Sequence, residues 1–174
     1  MKKIYILLMH TNTNPSKFVK LMTRHEYSHV AISLEKECNK IYSFGRRKPR
    51  SIIGAGFSIE RKNGEFFKIF NKTKCKIYEL EVEENKYDRL RQILENMENN
   101  ANIYRYDYLG IALRYLYIPV TFKNKYVCSY FVADVLRQAD IYKFDKDTCF
   151  IKPSDFEDLN GLKEIYVGQY NLYK

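Results

Sequence analysis

The chain has 174 residues, 30 Lys+Arg against 21 Asp+Glu for a formal net charge of +9, and 45% hydrophobic residues. That apolar share excludes a disordered chain, and the length suits one domain spanning 1–174 that buries roughly 70% of its unfolded surface. No apolar run reaches the ~20 residues that cross a bilayer.

The N-terminal Met1-Lys2-Lys3 precedes only a short apolar stretch, and His10-Thr11-Asn12 follows without a small-residue cleavage site, so a buried strand is expected rather than a signal peptide. The expected location is therefore soluble and cytoplasmic, and Asn71-Lys72-Thr73 is expected to be an accidental sequon. Cys38, Cys75, Cys128 and Cys149 are widely spaced and lack a C-x-x-C pair. In a reducing compartment they read as free thiols, with no zinc site or cofactor implied.

In chain order, Lys3 to Met9 predicts a strand, and Asn14-Pro15-Ser16 a helix start whose apolar positions Phe18, Val19, Leu21 and Met22 run up to Arg24. His29 to Leu34 and Lys40 to Phe44 predict two strands of a hairpin, followed by the basic, exposed loop Gly45 to Arg50. Ser51 to Phe57 is punctuated by glycine; Gly54-Ala55-Gly56 is too short for a nucleotide loop and reads as a turn. Cys75 to Val82 alternates strictly and is the clearest strand.

Asn85 is expected to start a helix with Tyr87, Leu90, Ile93, Leu94 and Met97 on one face. Tyr108 to Leu116 predicts an apolar helix, ended before Pro119, whose all-round apolarity implies burial or an acyl-chain groove. Val127 to Ala139 predicts a third helix, Pro153 to Phe156 a helical turn and Glu164 to Val167 a last strand. Asp155 fits a helix-start residue and Asp134 a surface charge. The class is α+β, an antiparallel sheet packed against helices.

Among the four cysteines Cys128 alone opens a predicted helix. A helix N-terminus favours thiolate, and its free amides, those of Cys128 and Ser129, suit an oxyanion. A thiolate nucleophile needs a base, normally His, held by a third polar group. His10 ends the first strand and His25 lies in a polar connection; His29, at the start of an apolar strand, is the best-placed base. The alternative for each is structural: a helix cysteine packing like Ala and a strand-edge histidine.

The order His29-Val30-Ala31-Ile32-Ser33-Leu34, Ile41-Tyr42-Ser43-Phe44-Gly45-Arg46 and Cys128-Ser129-Tyr130-Phe131-Val132-Ala133 resembles the circularly permuted branch of the NlpC-type, papain-like cysteine hydrolases, with its YiiX-like and lecithin-retinol-acyltransferase-like members. That resemblance implies a permuted papain-like fold with Cys128 as nucleophile at a helix N-terminus and His29 as base. The third group falls on Ser43, an unusually weak imidazole orienter, with Glu35 and Glu37 as substitutes if the hairpin turn folds back. Tyr42, Arg46 and Tyr126 become candidate substrate-binding residues. The implied activity is that of a thiol hydrolase or acyltransferase on an amide, ester or thioester, with a peptide or lipid-like acyl partner.

Two other readings compete. Ser43 is compatible with a papain-like binding module that holds a ligand without turnover. The basic run Arg46-Arg47-Lys48-Pro49-Arg50, with Tyr42 and Phe44 nearby, fits a nucleic-acid surface, although no nucleic-acid motif accompanies it and no specific nucleic acid is expected.

Overall fold

A computed structural model describes residues 1–11, 25–49, 51 and 54–174. The helix expected from Asn14 to Arg24 lies outside the described residues.

Among the described residues six strands form one antiparallel sheet: β1 (Lys2–His10), β2 (His29–Ser33), β3 (Lys40–Gly45), β4 (Gly56–Arg61), β5 (Lys74–Val82) and β8 (Leu162–Gln169), in the order β4-β3-β2-β1-β5-β8. Three helices, α1 (Glu65–Ile69), α2 (Glu84–Asn99) and α4 (Cys128–Gln138), pack on it. A two-residue parallel pair, β6 (Arg105–Tyr106) and β7 (Lys125–Tyr126), brackets α3 (Tyr108–Tyr115). Mixed α and β structure with an antiparallel sheet agrees with the sequence pattern. No helix among the described residues is long and apolar enough to cross a membrane.

β1 is central, and both its faces are covered. Ile4, Ile6 and Leu8 alternate into a core shared with Leu90 and Leu94 of α2 and Phe131, Val132, Val135 and Leu136 of α4. Tyr5, Leu7 and Met9 alternate into a second core with Phe67, Tyr170 and Tyr173. A strand buried on both faces explains why this segment reads as a near-continuous apolar run.

β4 and α1 were not expected. β4 begins inside the glycine-punctuated segment, at Gly56 and Phe57, and continues past it with Phe57 and Ile59 alternating with Ser58 and Glu60. Gly54 turns the chain at φ +79, where a side chain is strained. β8 is longer than the expected Glu164 to Val167, because its ladder with β5 runs from Lys74↔Gln169 to Leu80↔Leu162.

The expected burial of helix 108–116 is overturned: Tyr108, Leu109 and Ile111 of α3 are exposed. Its polar residues are buried instead, because Asp107 at its N-cap and Arg114 in its last turn form an ion pair at 2.8 Å. Asp134 is likewise no surface charge. It is buried on α4 and accepts hydrogen bonds from Arg137 at 2.7 Å, Gln138 at 2.7 Å and the Tyr126 hydroxyl at 3.1 Å. Asp155 does occupy a helix start, accepting from the Lys152 backbone N–H at 2.6 Å.

Candidate active site

Cys128 is the first residue of α4, preceded by Val127 in extended conformation, which makes no side-chain cap. An uncapped start leaves first-turn amides unpaired within the helix. Ser129 fixes this end by donating its hydroxyl to the Ile151 carbonyl at 2.5 Å. Phe131 and Val132 anchor the following turn in the core. The sulfur is thereby held at the seam between α4 and β2.

At this seam β2 and β3 part. The β1–β2 ladder runs through five register pairs and β3–β4 through six, whereas β2–β3 retains only Ile32↔Tyr42. Past that pair the peptide groups around Val30 serve other partners. The Val30 carbonyl accepts the Ser43 hydroxyl at 2.9 Å, and the Val30 N–H lies beside the Cys128 sulfur. An opened ladder thus brings the nucleophile candidate against the backbone of the residue that follows His29.

His29 opens β2 opposite Met9 of β1. Its Nε2 lies 2.8 Å from Ser43 Oγ, and a Cβ on Gly45 would stand 3.5 Å from its Cε1, so the ring lies over β3. Ser43 has one hydroxyl proton. Since the Val30 carbonyl can only accept, that proton goes to Val30, and Ser43 Oγ accepts from His29 Nε2–H. The tautomer this implies leaves the Nδ1 lone pair free to take a proton.

Electrostatics keep both groups neutral. Burial, then the positive charge of Arg46, lowers His29 from 6.5 to about 4. Burial pushes the Cys128 thiol up, opposed by the N–H groups of Val30, Ser129 and Cys128 itself. Burial raises Cys38 and Cys75 to about 12, and burial together with the Asp147 carboxylate raises Cys149 to about 11. All four cysteines are buried and free. The resting arrangement is thiol and imidazole rather than a thiolate–imidazolium pair.

The remaining expected residues fall differently. Glu35 and Glu37 are exposed in the hairpin turn, and the imidazole's polar partner is Ser43. Tyr42 is buried in the core against Phe57, with ring centroids 6.2 Å apart, which removes it from any substrate surface. Arg46 stands near the imidazole and lines a cavity of about 410 Å³ with Arg47, Phe57 and Glu60. Its guanidinium is occupied by the Pro49 carbonyl at 3.1 Å and by the Phe66 and Phe70 rings. Tyr126 is half-buried, stacked on Tyr130 at 4.7 Å. His10 is buried at the end of β1, and His25 is exposed.

The basic loop is partly internal. Arg47 donates to the carbonyls of Phe57 at 3.3 Å, Tyr104 at 2.7 Å and Ala101 at 2.5 Å, tying the loop to the segment before β6. Two groups escaped the sequence reading. Tyr106 is close enough for a charge on Cys128 to raise its phenol, after burial, which raises it most. Glu60 is raised by burial to about 7, with Ser58 and Arg46 acting in the opposite direction. No periodicity marks Tyr106; Glu60 was legible in the alternation after Gly56. Among the described residues no three His, Cys, Asp or Glu side chains form a candidate metal site. Compared with known families and curated proteins, the sequence matches no family model and no curated protein.

Proposed function

We propose that the protein is a cysteine-dependent acyl hydrolase or acyltransferase, with Cys128 as nucleophile, His29 as general base and Ser43 as the residue that orients His29. The observation that carries this reading is the pairing of His29 Nε2 with Ser43 Oγ at 2.8 Å, beside a strand opening in which the Val30 N–H meets the Cys128 sulfur. The permuted papain-like architecture belongs to the same proposal, supported by the order of the His strand, the Ser strand and the Cys helix along the chain.

With both groups neutral at rest, the thiol proton passes to His29 Nδ1 as the sulfur attacks the carbonyl carbon of an amide, ester or thioester. The carbonyl oxygen gains the negative charge, and the N–H groups of Cys128 and Ser129 lie where a helix start stabilises it. The tetrahedral adduct collapses, the imidazolium returns its proton to the departing amine, alcohol or thiol, and an S-acyl enzyme remains. Water or another acceptor, deprotonated by His29, then attacks the thioester and releases the free thiol. Ser43 accepts from Nε2–H throughout and holds the ring in one tautomer.

A chloroacetamide probe tests this. Labelling is expected to survive in Cys38→Ala and Cys75→Ala and to vanish in Cys128→Ala; equal labelling of all three variants overturns the assignment. A second reading, a ligand-binding module without turnover, is favoured by the upward push on the Cys128 thiol. Under that reading the alkylation rate of Cys128 is insensitive to His29→Ala, whereas the catalytic reading expects that variant to slow it.

A further inference from the structure

The strongest feature outside the site is α3 and the turn that follows it, where the usual distribution of a surface helix is inverted. Helices of soluble domains turn apolar residues inward and charges outward. Here the charged pair is inside: Arg114 is 8% exposed and Asp107 0%. Asp107 also accepts from the Gly110 N–H at 2.9 Å, and a Cβ on Gly110 would collide with its carboxylate. The ion pair closes the polar side of the helix on itself, and the Asp107 N–H donates to the Tyr126 carbonyl at 3.0 Å at the helix start.

Its apolar residues point the other way. Leu109 is 56% exposed, Ile111 44%, Leu116 66% and Tyr117 88%. Tyr117 holds φ +59, a left-handed conformation in which a bulky residue is strained, and Ile118 beside it is exposed as well. This strained turn of aromatic and aliphatic side chains has little intramolecular burial in return. A contiguous exposed apolar stretch of this kind marks an interaction surface.

The base of the excursion is cationic. The chain leaves the domain at Arg105 and returns at Lys125, which are register partners in the parallel β6–β7 pair, and Lys123 is exposed just before the return. A second copy docked on this face would bring these like charges together, on a chain already carrying +9. An anionic surface answers both the apolar tip and its basic base. We propose that α3 and the 116–118 turn dock the protein on an anionic lipid surface, with Leu116, Tyr117 and Ile118 entering the interface and Arg105, Lys123 and Lys125 facing the headgroups.

This proposal does not depend on the activity proposed above, and it is tested by co-sedimentation without substrate. The full chain is mixed with vesicles of equal parts phosphatidylglycerol and phosphatidylcholine, or of phosphatidylcholine alone. Expected are partition onto the anionic vesicles only, weakening with added salt, and a loss of at least about tenfold in Leu116→Asp/Tyr117→Asp. Lys123→Glu/Lys125→Glu is expected to weaken partition by at least about fivefold. Both variants change surface residues, so an unchanged thermal melt verifies their fold. No partition, equal partition onto neutral vesicles, or full retention by the double-aspartate variant overturns the proposal. A dimer in solution that this variant dissociates assigns the face to a second copy and overturns it equally.

Discussion

His29 Nε2 and Ser43 Oγ are 2.8 Å apart, and the Ser43 proton is directed at the Val30 carbonyl 2.9 Å away, which makes the imidazole the donor of the pair. A hydroxyl in this role accepts one hydrogen bond and carries no charge, so it fixes the ring without stabilising an imidazolium as a carboxylate does. The site accordingly holds a base that is well oriented but weak, in keeping with a His29 lowered to about 4.

Ser43→Ala removes the acceptor and leaves the Val30 carbonyl without its hydroxyl donor. Chloroacetamide alkylation of Cys128 is expected to slow by about tenfold, less than the ~10²-fold or more expected for His29→Ala, because the base remains but loses its orientation. Stability is expected to fall by about 1 kcal/mol in urea unfolding. An alkylation rate equal to the parent's in Ser43→Ala removes the orienting role.

The lowered His29 and the raised Glu60 act in opposite senses on stability. For His29 the folded value, about 4, lies below the ordinary 6.5, so the unfolded chain binds more protons between them; its contribution is present above 6.5 and is lost as pH falls through 4. For Glu60 the folded value, about 7, lies above 4.5, so its contribution is present below 4.5 and is lost as pH rises through 7. Glu60→Gln is therefore expected to be more stable than the parent at pH 8 by about 1 kcal/mol, a figure discounted because the side chain is only partly buried. No such gain is expected at pH 4. Equilibrium unfolding at the two pH values measures this, and an equal effect at both refutes the assignment.

Much of this organisation was legible because it rests on local pattern. The strict alternation of Cys75 to Val82 gives β5, the unbroken apolar run Ile4 to Met9 gives a strand covered on both faces, and the apolar spacing from Phe131 to Leu136 gives α4. His29, Ser43 and Cys128 could be singled out by their places at strand and helix positions. What stayed hidden depends on contacts between distant segments. Nothing near Tyr42 in sequence says that its ring packs on Phe57 across β3 and β4. The opening of β2 from β3 leaves no mark on either strand. For α3 the deciding contact is local instead: Asp107 and Arg114, seven residues apart, pair at 2.8 Å with both side chains buried, and the apolar residues are left outside, where composition alone argued for burial.

That buried ion pair gives a sharp stability prediction. Asp107→Ala strands the Arg114 guanidinium, whose Nη1 already lacks a hydrogen-bond partner, and removes the cap on the Gly110 N–H. The expected loss is about 3–5 kcal/mol. Combining it with Arg114→Met is expected to recover most of that loss, since no unpaired charge is left inside. Thermal and urea unfolding of the single and double variants measure the coupling. If the double variant is as unstable as Asp107→Ala, the cost lies in the lost cap rather than in the stranded charge.

The last prediction concerns the grip on the nucleophile's helix. Ser129 donates its hydroxyl to the Ile151 carbonyl at 2.5 Å, and both groups are buried, so this bond ties the first turn of α4 to the chain 22 residues downstream. Ser129→Ala keeps the backbone N–H that the proposed oxyanion needs but frees the turn and leaves the Ile151 carbonyl unsatisfied. Stability is expected to fall by about 1–2 kcal/mol. The alkylation rate of Cys128 is expected to fall severalfold with its pH dependence unchanged, because His29 and Ser43 are untouched. Ser129→Thr retains the donor and is expected to restore the rate if the added methyl group is accommodated. A changed pH profile in Ser129→Ala would instead place the Ser129 hydroxyl in the proton transfer itself, contradicting its assignment as an anchor.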